Sequence, residues 1–172
     1  MNLTQEVFVA LCRRGYGRRL KKIMEPKLAE NSKLAFWYAM DVLHSPFPSG
    51  EKAIAEDIRH SFRYAAYVLK GRFELGEEVL ATSPNYAYDY ARRVLKGPFK
   101  LGEAAIASSP STSLLYAITV LNGPFPLGEK AIAKDAYASM DYQHFLGKYG
   151  TEEDTQRFKE IVDARQSGSL NR

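Results

Sequence analysis

The segment YARRVLKGPFKLGEAAIASS, residues 90–109, decides the fold, because close copies of it recur every 26 residues. The copies are YAMDVLHSPFPSGEKAIAED (38–57), YAAYVLKGRFELGEEVLATS (64–83) and YAITVLNGPFPLGEKAIAKD (116–135). The tyrosine that opens each copy is also found a fifth time in the same register, and the five are Tyr38, Tyr64, Tyr90, Tyr116 and Tyr142. A fixed period of this length is typical of solenoids and other repeat arrays.

One repeat predicts two helices. Ser83 is a good N-cap and Pro84 suits the first helical position, where the missing N–H is not needed. The apolar residues that follow are spaced as one helical stripe: Ala87, Tyr90, Ala91, Val94 and Leu95. We expect Gly97 to end this helix in the left-handed conformation and Pro98 to prevent its continuation. Residues 100–108, KLGEAAIAS, predict a second, shorter helix with three inward-facing side chains: Leu101, Ala105 and Ile106.

The same punctuation recurs along the chain. The predicted N-caps are Asn31, Asp57, Ser83, Ser109 and Asp135. The predicted buried phenylalanines are Phe47, Phe73, Phe99 and Phe125. The glycines expected to close the longer helices are Gly71, Gly97 and Gly123, with Ser45 as the exception. The residues that begin and end the predicted helices thus recur with the 26-residue period, and this agreement supports one repeated fold.

The sequence predicts an all-α protein, an α-solenoid of tandem 26-residue helix-pair repeats with N- and C-terminal capping helices. It predicts a single domain over residues 1–166, with an N-terminal cap at 1–23 and repeats at 24–147. A degraded short helix is expected over residues 21–30. A C-terminal cap helix is expected over 151–166, opened by a capping box from Thr151 to Asp154, with Phe158, Ile161 and Val162 inward. Residues 167–172 are expected to be disordered.

Composition narrows the class of protein. The chain has 172 residues, of which 45% are hydrophobic, enough for a sizeable core. It shows no apolar run of about 20 residues and no signal-peptide pattern, so we expect a cytoplasmic protein without a membrane segment. Cys12 is its single cysteine, and the three histidines have no metal-ligand spacing. Glycine-rich nucleotide loops and serine-hydrolase motifs are absent, so no cofactor or metal is expected.

The recurring tyrosines and glutamates predict structural roles. A tyrosine that every repeat shares is expected to pack its ring between repeats and to bond its hydroxyl to a backbone or carboxylate group. The glutamates in register are Glu25, Glu51, Glu77, Glu103 and Glu129. We expect each in the first turn of a short helix, where a carboxylate complements the helix dipole. Five equivalent carboxylates do not supply the two different environments that acid–base catalysis requires.

Function is therefore sought where the repeats differ. Trp37 aligns with arginine, aspartate and leucine in other repeats, and Leu115 with Ile118 places two apolar side chains at positions that are charged elsewhere. Such patches are typical of binding to another protein. The candidate partner-binding residues are Trp37, Met40, His44, Arg63, Tyr67, Arg92, Leu115 and Ile118. The alternative is that the capping helices cover these patches.

A nucleic-acid interface is the competing hypothesis. Residues 1–33 hold eight Lys and Arg against three Glu, and the middle repeats interleave arginine with tyrosine. The candidate residues are Arg13, Arg14, Arg18, Arg19, Lys21, Lys22, Arg59, Arg93 and Lys96. Acidic residues in the same repeats, such as Asp57, Glu77 and Asp89, weaken this prediction.

Repeats of the form YA..VLKGPFPLGE.AIA resemble the short α-helical repeats found in proteins of tailed bacteriophages and some bacteria. The resemblance covers residues 24–147, with departures at Met24, Ser45 and Gln143. It implies a phage-encoded protein that works in the host cytoplasm by binding a host protein and inhibiting or redirecting it. It carries over no site residues. The leading hypothesis is a non-enzymatic protein-binding module.

Overall fold

Every regular element in residues 17–168, the part of the chain that the computed structural model describes, is helical. The chain divides after Leu80 into two compact units. The α-helices of the first unit are α1 (Gly17–Ala29), α2 (Ser32–Trp37), α3 (Pro48–Ala55), α4 (Ile58–Arg63) and α5 (Glu77–Leu80). Those of the second unit are α6 (Pro84–Asp89), α7 (Glu103–Ile106), α8 (Pro110–Tyr116), α9 (Pro126–Ile132), α10 (Ala136–Tyr149) and α11 (Glu152–Gln166). The all-α prediction is confirmed, whereas the single domain over 1–166 stays a prediction.

The helices begin where the sequence predicts. Asn31, Asp57 and Asp135 each accept a hydrogen bond from the N–H three residues later, at 2.8–3.0 Å. Ser83 and Ser109 occupy the same cap position without a side-chain cap bond, and a proline follows each of them. Local capping chemistry thus sets the start of each longer helix.

In four of the longer helices the backbone widens at or just after the tyrosine, whereas α10 stays α-helical throughout. The α-helical turns pass into π-helical segments at Tyr38–Leu43, Tyr64–Leu69, Tyr90–Leu95 and Ala117–Leu121. Each segment ends at a left-handed residue, and these residues are His44, Lys70, Lys96 and Asn122, with φ between 47° and 53°. In the third of them the N–H groups of both Lys96 and Gly97 donate to the carbonyl of Ala91.

The prediction that Gly97 adopts the left-handed conformation is therefore wrong. Lys96 adopts it instead, and among the described glycines only Gly168 has a positive φ. A side chain after the left-handed residue meets no conformational barrier, which explains why Ser45 replaces glycine in the first repeat.

A different glycine is required by packing. Phe99 is buried beside Tyr90, with the two rings edge to face and their centroids 5.1 Å apart. A Cβ at Gly102 would lie 2.7 Å from Cε1 of Phe99 and 2.8 Å from Cβ of Ala87. Gly50, Gly76 and Gly128 are equally crowded by their own phenylalanines. The glycine of the LGE sequence is thus the place where the short helix touches the phenylalanine and the longer helix.

The core lies on the side of the tyrosines. All five tyrosines of the register are fully buried, and the four phenylalanines are buried as predicted. Ile106 is also buried, but Leu101 is 55% exposed, so the prediction that Leu101 faces inward is wrong. Leu75 and Leu127, in the same register, are exposed too. Leu101 lies in the 3₁₀ turn Lys100–Gly102, which precedes α7.

The two ends differ from each other. Helix α1 is longer than the predicted 21–30 helix, and Glu25 lies in its second half, so the expected first-turn position is wrong for this glutamate. Most of the predicted N-terminal cap and the tail from residue 169 lie outside the described residues. Helix α11 begins with the predicted capping box between Thr151 and Asp154, and Phe158 is buried.

Candidate functional site

The hydroxyls of four shared tyrosines, Tyr38, Tyr64, Tyr116 and Tyr142, make structural hydrogen bonds. The Tyr116 hydroxyl donates to Oε1 of Glu103 at 3.0 Å and accepts the N–H of Phe99 at 3.0 Å. Tyr64, two repeats earlier, and Tyr142, one repeat later, make the same two bonds, and Tyr38 donates to Glu25. Burial raises the pKa of Tyr116 to about 12, so its hydroxyl keeps its proton at neutral pH. The predicted structural role of these hydroxyls is confirmed.

Three carboxylates of the register, Glu77, Glu103 and Glu129, form ion pairs as well. Glu103 binds the exposed Lys100 at 3.0 Å. Glu129 is fully buried, and Arg157 of α11 grips it with two bonds of 2.9 and 2.7 Å. These bonds raise the pKa of the Arg157 guanidinium above its usual value. In the first unit Arg72 holds Glu77 in the same two-bonded way. These groups join helices, and their hydrogen-bonding capacity is used in doing so.

In the first unit the predicted binding residues are only partly open. Trp37 and Met40 are half-buried, and His44 is exposed at the end of their helix. Tyr67 is 45% exposed. The guanidinium of Arg63 lies over the Phe36 ring, 4.6 Å from its centroid, so this arginine covers the unit's own core.

In the second unit the predicted residues meet others that the sequence did not single out. Leu115 and Ile118 are 42% and 36% exposed. Tyr137 and Met140 on α10 are exposed more fully, at 79% and 61%. Arg92 is exposed and donates to the hydroxyl of the buried Tyr88. Four exposed apolar side chains thus lie on α8, on the wide segment that follows it and on α10.

An open cavity of about 470 Å³ lies between α8 and α10. Its lining residues are Pro110, Ser111, Leu114, Leu115, Asp135, Tyr137, Ala138 and Asp141. The lining is apolar apart from one hydroxyl, the phenol of Tyr137 and two carboxylates, and it contains no basic side chain. Asp135 also accepts the N–H of Ala138 as the cap of α10, so it is held in place.

The sequence signal for the missed residues lies in the repeat alignment. Tyr137 falls in a register that is polar in the other four repeats, where it holds Lys33, Arg59, Asn85 and Ser111. This difference between the repeats is the sequence signal that marks Tyr137. Met140 carries no such signal, because its register is apolar in every repeat.

The candidate nucleic-acid residues are scattered over the described elements. Arg13 and Arg14 lie outside the described residues. Arg18, Arg19, Lys21 and Lys22 belong to α1. Arg59 is exposed in the first unit, and Arg93 and Lys96 are exposed in the second.

In residues 17–168 no group of three or more His, Cys, Asp or Glu side chains is arranged to hold a metal ion. Within the same residues no helix combines the length and the apolar character needed to cross a membrane. Comparisons of the chain with protein-family models, with curated proteins and with solved structures give no match.

Proposed function

We propose that this chain is a non-enzymatic α-solenoid of 26-residue helix-pair repeats that binds another protein. The recurrence of the same helix starts, wide segments and left-handed ends supports a solenoid. The shared hydroxyls and carboxylates hold that framework together, which leaves the variable surface positions for recognition.

The observation that carries the proposal is the pair of exposed apolar side chains Leu115 and Tyr137, which line one open cavity of the second unit, together with the exposed Ile118 and Met140 of the same unit. Protein interfaces are centred on such side chains, and tyrosine is enriched among the residues that dominate binding energy. Because Leu115 and Tyr137 line an open cavity, a partner can insert a side chain there rather than only cover a flat surface.

The resemblance to phage repeats extends the proposal to the partner. The chain is proposed to act in the host cytoplasm, where it binds a host protein and inhibits or redirects it. The support for this step is the sequence resemblance over residues 24–147.

Affinity capture from a host lysate tests the proposal. The chain is used as wild type, as a Leu115→Asp/Tyr137→Asp variant, and as a Leu101→Asp control that charges an exposed leucine of another register. We expect a partner that wild type and control retain and the double variant loses. Circular dichroism checks that all three fold. Identical partner sets, or no partner for the wild type, would refute protein binding through Leu115 and Tyr137.

A nucleic-acid function remains the second proposal, favoured by the exposure of Arg59, Arg93 and Lys96. Binding through phosphate contacts weakens steeply with salt. Fluorescence anisotropy with single-stranded DNA and RNA at low salt tests it. A flat titration removes this proposal without affecting the first one.

A further inference from the structure

The first unit contains one groove between two longer helices, α2 and α4, that is closed by side chains. Phe36 of α2 is only 4% exposed. Two side chains of α4 cover its ring: His60, with ring centroids 5.6 Å apart, and Arg63, whose guanidinium lies 4.6 Å from the ring centroid. The aromatic side chain fills the groove, and a cation closes it from the outside.

The same register stays aromatic and buried in the next two repeats, with Phe62 and Tyr88. In the fourth repeat it changes to Leu114. The two covering positions change as well, from His60 to Ala138 and from Arg63 to Asp141. Two of the three side chains become smaller and the third reverses its charge.

The cavity between α8 and α10 lies at this place, with Leu114, Ala138 and Asp141 in its wall. A side chain with fewer atoms leaves space that a well-packed interior would fill. The cavity is therefore a notch, open where the first unit holds an aromatic ring and a guanidinium.

We propose that this notch binds an aromatic side chain of a partner protein that has an arginine or lysine next to it. The inference rests on the proposed protein-binding function and adds the chemistry of the partner. Leu114, Leu115 and Ala138 supply apolar walls for the ring. Tyr137, 79% exposed at the rim, offers an aromatic face to the partner.

Charge complementarity is the reason to expect an arginine or lysine next to the aromatic side chain of the partner. Asp135 and Asp141 are both exposed, and Asp141 makes no ion pair among the residues that the structure describes. The first unit places its own Arg63 at the corresponding lip, whereas here the lip is a carboxylate. A partner cation completes the arrangement, and a partner carboxylate is repelled.

The inference is tested with a short peptide and a variant that closes the notch. The probe is acetyl-Gly-Phe-Arg-Gly-amide, titrated into the ¹⁵N-labelled full chain and followed by amide chemical shifts. The variant is Leu114→Phe/Asp141→Arg, which rebuilds the groove of the first unit. Because that arrangement is already stable in this chain, we expect the variant to fold; Ala138→His, which occupies the same space, is the second closing variant.

We expect saturable shifts at Leu115, Ala138 and Asp141. Affinity should fall at least ~10-fold in the closing variants and for a peptide with alanine in place of phenylalanine, because the burial of a ring is lost. A peptide with glutamate in place of arginine should bind at least ~3-fold more weakly. No saturable shift, shifts elsewhere in the chain, or equal binding of the closing variants or of the glutamate peptide would overturn the inference.

Failure of the notch and failure of the proposed function give different results. If the closing variants capture the same partner as wild type while Leu115→Asp/Tyr137→Asp loses it, the notch inference is wrong and protein binding stands. If the peptide binds the notch but wild type captures no partner, the notch inference stands and the proposed function fails.

Discussion

Replacing Arg157 with methionine is expected to destabilise the second unit strongly. The guanidinium of Arg157 makes two bonds to the carboxylate of Glu129, which is fully buried. Methionine keeps much of the apolar stem but removes the charge. The carboxylate then retains one bond, the 3.2 Å bond from the Tyr142 hydroxyl. The buried Glu129 carboxylate is then left without the two hydrogen bonds from the guanidinium.

The magnitude follows from burial. Removing one partner of a buried ion pair costs about 3–5 kcal/mol. Arg157 is 34% exposed, so solvent already screens part of the pair and we expect about 2–4 kcal/mol. At about 2–4 °C per kcal/mol for a chain of this length, the melting temperature should fall by about 4–16 °C. Adding Glu129→Gln to the variant should restore part of the loss, because the unpaired charge is then removed.

Lys100→Met provides the matched control. Lys100 pairs with Glu103 in the same register, but its side chain is 79% exposed, so its removal should cost less than about 1 kcal/mol. Urea denaturation followed by circular dichroism compares the two variants, and hydrogen exchange of α9 and α11 amides reports the local effect. Equal losses for both variants, or a loss below about 0.5 kcal/mol for Arg157→Met, would refute the reasoning.

Two further predictions concern the repeat framework. Gly102→Ala should lower the free energy of unfolding by about 1–3 kcal/mol, since its Cβ would collide with Phe99. Gly97→Ala, with 3.9 Å of space, should be neutral or stabilising by up to about 1 kcal/mol. Urea denaturation that ranks the two variants the other way contradicts the packing argument. Burial raises the pKa of Tyr116 to about 12, while an unfolded tyrosine titrates near about 10. The unfolded state therefore loses this proton first, and the stability of the fold falls as the pH rises from about 10 to about 12. Tyr116→Phe should cost about 1–3 kcal/mol at neutral pH and lessen this alkaline loss; an unchanged alkaline profile would show that Tyr116 does not contribute to it.

Helix starts could be predicted because capping is local. Asp57 and Asp135 accept bonds from N–H groups only three residues away, and the capping box of Thr151 spans the same distance. Helix ends were less accessible. The left-handed residue is Lys96 rather than Gly97, since the widened segment directs two N–H groups to one carbonyl, and a pattern of apolar residues does not report which carbonyl accepts.

The candidate site was predicted in part for a similar reason. Leu115 and Ile118 could be found because their chemistry differs from that of their register. Met140 could not, because its register is apolar throughout and buried in the first three repeats. Whether a side chain of this register is exposed depends on the side chains that the following repeat places over it. The repeat that holds Met140 is followed by α11 rather than by another repeat. The notch at Leu114 likewise depends on the sizes of three side chains on two helices.

The tyrosine hydroxyl bonds have a consequence for how the chain folds and how its length can change. The bonds that the hydroxyls of Tyr38, Tyr64, Tyr116 and Tyr142 make to their glutamates and phenylalanines join residues 13 or 17 positions apart. Loops this short close at small entropic cost, so contact order is low and folding is expected to be fast. An insertion or deletion of one whole period leaves these separations unchanged. Recombination between repeats can therefore lengthen or shorten the protein in steps of one period while each of these hydroxyls keeps its partners.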